Sequence, residues 1–164
     1  MTLKPLSAGA VPAALVKAER YRLLNEPGEA ESICLDVLGI EPGNQKALVM
    51  LILALTDQMD KRPSVEEARL LLGRLSSEYE RAYYAGIICE REAKAYTEQN
   101  WPGSHFSAYH AFLEAMGWYE RAEAIRPPDN DDAVLRWNTC ARFLLRHPHL
   151  RPAPEERSEP ILSE

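Results

Sequence analysis

No stretch of this chain alternates β-branched and polar residues, and no Asn-Gly pair separates two such stretches. Without those signals strands have nothing to form from, and the fold reads as helical. Paired cysteines are missing as well. Cys34, Cys89 and Cys140 are an odd number, roughly fifty residues apart, with no C-x-x-C and no paired-histidine pattern, which argues against a disulfide framework or a zinc site. Positive charge is scarce: 19 Lys and Arg against 25 Asp and Glu leave a net charge of −6. That balance gives no basis for counterion-release binding to nucleic acid or for attraction to an anionic membrane. The longest apolar run, Ala47 to Leu55, has nine residues, about half of what a membrane crossing needs. Pro5 and Pro12 interrupt the weakly apolar N-terminus, so it makes a poor signal peptide and reads as an arm leading into a helix. The expectation is one cytoplasmic domain with no nucleic-acid or membrane partner.

Catalytic signatures are equally thin. H-E-x-x-H, G-x-S-x-G and phosphate-binding glycine loops are all absent. His110 and Glu114 are spaced i, i+4, but two ligands do not make a metal site. Cys34 and Cys89 fall on helical packing stripes, where small inert core residues are expected. No catalytic, cofactor or metal residue is assigned.

What the chain does contain is helical punctuation. Pro12 suits the first turn of a helix. Asn25 to Gly28 stops that helix, and Glu29 begins another carrying Ala30, Ile33, Cys34, Val37 and Leu38. After Pro42-Gly43-Asn44 a third runs from Gln45 to about Gln58. Ser64 to Glu67 and Ser77 to Glu80 are capping boxes that open a fourth and a fifth. The fifth carries Ala82, Gly86, Cys89, Ala93 and Tyr96 at steps of four and three, and Asn100 to Ser104 ends it. A sixth spans about His105 to Ile125, and a seventh, capped by Asp129 or Asn130, reaches Arg146. Residues 1–11 read as a flexible arm, 12–146 as the helical domain, and the proline-rich 147–164 as a disordered tail.

Two segments share a grammar. Glu29-Ala30, Cys34, Ile40 and Pro42 correspond to Glu114-Ala115, Tyr119, Ile125 and Pro127, with the same offset of twelve from alanine to proline. A small residue early in a second helix lets the first approach closely, and the later proline turns the chain into the next pair. This grammar resembles the tetratricopeptide repeat. Ala18, Tyr21, Ala30, Cys34, Val37 and Pro42 match in a first copy; Leu48, Leu51 and Ala68 match in a second that has Glu80 in place of the proline; Ala115, Tyr119, Ala122 and Pro127 match in a third with a lengthened hairpin. The resemblance covers roughly residues 12–146. It implies an all-α, right-handed superhelical stack of antiparallel helix pairs, closed by a C-terminal capping helix.

By the same resemblance, the first helix of each pair lines a concave groove that receives a peptide. The groove would take Leu15, Glu19 and Arg22 from the first helix, Val49, Met50 and Leu53 from the third, and Tyr83, Ile87 and Glu90 from the fifth. Relatives that clamp a chaperone's terminal carboxylate use lysines and asparagines where this chain has Leu15, Glu19 and Leu53. The expected role is therefore a scaffold or adaptor binding another protein or peptide, with a secretion-type chaperone as a second version. Competing classes are an enzyme framed around His110, Glu114 and Tyr119, and a self-assembling subunit paired through Tyr96, Trp101, Phe106 and Tyr109 at the third hairpin's tip.

Overall fold

The computed structural model describes residues 1–61 and 64–154. Among them are seven α-helices and no strand: α1 Val11–Leu23, α2 Pro27–Ile40, α3 Gln45–Thr56, α4 Val65–Leu72, α5 Glu78–Thr97, α6 Ser104–Ala124 and α7 Asp132–Arg146. A short 3-10 turn, Ala8–Ala10, precedes α1. No helix of the described residues is long and apolar enough to cross a membrane.

The boundaries follow from local chemistry. Asn25 takes a left-handed φ of 60°, which its short polar side chain tolerates, and the chain turns there. The second helix then starts at Pro27, two residues earlier than Glu29 suggested, because a residue without an N–H loses nothing at a helix start. Asn44 caps α3, its side chain accepting from the Ala47 N–H at 2.9 Å. The Ser77 hydroxyl likewise accepts from the Glu80 N–H at 3.2 Å and opens α5. Ser64 behaves differently from the capping box its sequence suggests. Its buried hydroxyl donates to the Leu55 carbonyl at 2.7 Å, joining the Gln58 N–H on that acceptor at the end of α3 instead of capping a donor at the start of α4. At α7 the Asn130 side chain accepts from the Asp132 N–H at 3.0 Å.

Consecutive helices pack on one another from α1 to α7, and α3 also touches both α1 and α5. The core has two parts. In the first, Ala18, Ala30, Cys34, Val37, Leu48, Ile52, Leu55 and Ala68 are enclosed between α1 and α4, with Ile88 reaching in from α5. In the second, α5, α6 and α7 enclose Cys89, Ala93, Ala108, Phe112, Ala115, Tyr119, Ala122 and Cys140. Burial pushes all three thiols up to about 12, so they remain protonated packing groups.

The seams are tied to each other. Gln45 accepts from the Ser76 N–H at 2.9 Å and donates to the Arg74 carbonyl at 3.3 Å, while Arg74 donates to the Pro42 carbonyl at 2.6 Å. The α2–α3 and α4–α5 turns are thus joined by hydrogen bonds.

The tail expected from residue 147 does not leave the fold there. His147 stacks on Phe143 with centroids 4.1 Å apart, and Leu150 is only 4% exposed within the second core. One apolar side chain, with no periodic neighbours to announce it, docks the segment after α7. Residues 151–154 are exposed, and the rest of that tail, 155–164, lies outside the described residues.

Candidate functional site: two clefts across the odd helices

Helix α3 touches both α1 and α5, and the three line the same clefts, one at their N-terminal ends and one toward their C-terminal ends. At their N-terminal ends lies an open cleft of about 550 Å³. Leu15 and Glu19 of α1, Val49 and Met50 of α3, and Glu80 and Tyr84 of α5 line it. A second hollow of about 550 Å³ shares Pro12, Leu15, Gln45 and Lys46 with it and extends toward Gly9 and Glu41, so the two form one groove across the helix starts. Burial, with the neighbouring Glu80 carboxylate, holds the Tyr84 phenol up at about 12, leaving its hydroxyl a donor at any ordinary pH.

At the C-terminal ends of the same helices is a cleft of about 400 Å³ with a charged lining, including Arg22, Asp57, Arg91 and Lys94. Arg22 Nε donates to Asp57 Oδ2 at 2.7 Å. Arg91 Nη2 stands 3.7 Å from the other oxygen of Asp57, beyond hydrogen-bond reach, and its buried Nε has no partner among the described residues.

The expected groove residues separate accordingly. Leu15, Glu19, Val49 and Met50 meet in the apolar cleft, and Arg22 belongs to the charged one. The other four do not line either cleft. Leu53 is half-buried against the second core. Tyr83 is packed among rings, with centroids 5.1 Å from Tyr84, 5.8 Å from Tyr79 and 5.9 Å from Tyr119. Ile87 and Glu90 are buried in the second core, where α6 packs along α5 and brings Tyr119 onto Glu90, and Arg136 of α7 reaches Glu90 as well.

Glu90 is fully enclosed and fully paired. Its Oε1 accepts from Lys94 Nζ at 2.7 Å and Arg136 Nη2 at 2.6 Å; its Oε2 accepts from the Tyr119 hydroxyl at 2.7 Å and Arg136 Nε at 3.1 Å. Burial by itself would raise this carboxyl, but the hydrogen bonds from Lys94 and Tyr119 and the charges of Lys94 and Arg136 hold it below its ordinary value. The same cluster pushes the Tyr119 phenol upward, through burial first and the Glu90 charge second. Tyr119 is thus a structural donor, while His110 and Glu114 are exposed on the surface of α6. The three do not converge, and no group of three His, Cys, Asp or Glu among the described residues could hold a metal ion.

Tyr84 and Glu80 were missed because the fifth helix was read one position around from its true face. Glu80, Tyr84, Arg91, Lys94, Ala95 and Glu98 share that face. The capping box pointed the other way: it assigns the Glu80 carboxylate to the helix start, whereas only the Ser77 half forms and the Glu80 side chain lines the cleft.

At the third hairpin, α5 and α6 have 20 and 21 residues against 13 and 14 in α1 and α2, which adds about 10 Å at 1.5 Å per residue. Tyr96 meets Trp101 edge-on at 5.9 Å, and Gly103, at a left-handed φ of 88°, turns the chain beside Trp101 and Phe106. Trp101 remains 44% exposed, and Phe106 and Tyr109 are half-buried.

Compared with family models, curated proteins and solved structures, the chain matches none.

Proposed function

We propose that this chain is a tetratricopeptide-like stack serving as a cytoplasmic scaffold, holding a segment of another polypeptide in the groove across α1, α3 and α5. The observation that carries this reading is the cleft in which Leu15, Val49, Met50 and Tyr84 from three alternate helices share one partly open apolar lining. Half-exposed apolar side chains gathered in a concave surface gain by being covered, and a peptide side chain is the ligand that fits such a shape. Burial of Ala18, Ala30, Cys34 and Val37 in one hairpin, and of Ala115, Tyr119 and Ala122 in another, supports the repeat grammar. The role asks for no chemistry from the chain.

The test is capture from the native cytoplasm with the wild type and with Leu15→Ser combined with Val49→Ser. Both residues are half-buried, so the double variant should stay folded with a modestly lower denaturation midpoint. It should lose the partner that the wild type retains. A folded double variant that captures the same partner equally well rejects the groove.

A further inference from the structure

The charges around the apolar groove specify the flanks of its ligand. Glu19 and Glu80 line the main cleft and Glu41 its extension, against the single ammonium of Lys46. Glu41 accepts from the Asn44 amide at 2.7 Å, which leaves its negative charge in place. Glu19 and Glu80 make no ion pair among the described residues, whereas Arg22, Arg69, Lys94 and Arg136 are all committed to carboxylates elsewhere. The helix starts at this end of α3 and α5 are already served by Asn44 and Ser77, so capped N–H groups are not competing for an anion. The groove therefore presents an apolar floor with an excess of unpaired carboxylate at its rim.

Resting on the scaffold reading, we infer that the groove takes an extended segment of a partner protein whose apolar side chains are flanked by lysine or arginine. The apolar residues seat on Leu15, Val49 and Met50, and the cationic flanks lie beside Glu19 and Glu80. Spanning three neighbouring helices at usual packing distances makes the groove on the order of 20 Å long, enough for about six extended residues. Tyr84 offers a hydroxyl donor to the backbone carbonyls of such a segment. Each rim pair is solvent-facing and so contributes modestly, which makes charge a selector among apolar segments and leaves most of the affinity to the floor.

Three labelled seven-residue peptides decide this, sharing two leucines and differing only at two flanking positions, which carry Lys, Gln or Glu. Fluorescence anisotropy with the full chain at low salt should rank Lys over Gln over Glu, with about tenfold between the extremes. Glu19→Gln with Glu80→Gln should collapse that ranking to within about twofold across the three peptides, and circular dichroism should show the helices intact. Equal affinity for all three peptides, or a ranking that survives the double substitution, overturns the charge inference alone. Binding of all three that persists in Leu15→Ser with Val49→Ser overturns both this inference and the scaffold groove. Failure of the wild type to bind any of the three overturns the inference, and the capture experiment then judges the groove by itself.

Discussion

A Cβ placed on Gly86 would stand 2.5 Å from Cε1 of the Tyr119 ring. The ring lies directly on the α5 backbone, and its hydroxyl reaches Glu90 one turn further along. Close approach of the two long helices therefore depends on the absence of one methyl group. Gly86→Ala should destabilise the protein by about 1–3 kcal/mol through overpacking, even though alanine favours a helix interior by about 1 kcal/mol over glycine. Denaturant titration checks this; an unchanged or raised midpoint would show that the ring can retreat.

The Glu90 cluster makes stability depend on acid. A carboxyl whose folded value is depressed contributes stability above its unfolded value, near 4.3, and loses it as pH falls through the folded value. Wild type should thus weaken progressively below about pH 4. At pH 7, Glu90→Gln should cost about 1–3 kcal/mol, since it removes the anionic acceptor of Tyr119, Arg136 and Lys94, while the two cations, 29% and 36% exposed, are partly relieved by water. Melting curves of both chains should converge as pH is lowered, because the wild-type carboxyl is then neutral too. A gap that stays constant down to pH 2 would assign the loss to shape alone.

Leu150 anchors the chain after α7. Leu150→Ala should cost about 2–4 kcal/mol, as for other enclosed leucines, and ending the chain at Arg146 should cost at least as much. Thermal melts of the two variants against wild type are sufficient. A truncation without effect would detach this residue from the core.

At the hairpin tip, Trp101→Ala removes the edge contact with Tyr96 and should loosen the last turn of α5 by about 0.5–1.5 kcal/mol. Hydrogen exchange at Tyr96 and Thr97 should accelerate while the amides of α1 to α3 keep their rates. Sedimentation of both chains at tens of micromolar supplies the complementary readout: a lighter species on substitution would assign these rings to pairing between copies.

The helices were legible wherever their punctuation was local. Proline, asparagine and glycine turns and the small-residue stripes of α2 and α6 gave the element order, and Ala30, Cys34, Ala115 and Tyr119 are buried as their spacing implies. Of the expected groove residues, Leu15 and Glu19 on α1 and Val49 and Met50 on α3 share one cleft, whereas Arg22 lines another and Leu53 turns to the second core. On α5 the groove was not legible, since Ile87 and Glu90 are enclosed by partners from elsewhere in the chain, Tyr119 of α6 and Arg136 of α7 on Glu90 among them, and no pattern within α5 records their arrival. Leu150 was hidden for a similar reason: a single anchoring side chain has no period. Ser64 shows the limit of motif reading, because the same hydroxyl can serve the helix behind it as readily as the one ahead.

The hydrogen bonds joining Gln45 to the Arg74–Ser76 turn sit beside the apolar groove, and Gln45 itself lines it. Directional bonds between backbone and amide thus add to helix packing in holding the spacing between the starts of α3 and α5. Under the proposed scaffold reading, a peptide seated there would find the two helix starts already tied to each other, and little ordering of the walls would be left for binding to supply. Cutting that tie with Gln45→Ala would leave every apolar contact surface in place, yet the ligand would then have to set the gauge of the groove as well as fill it.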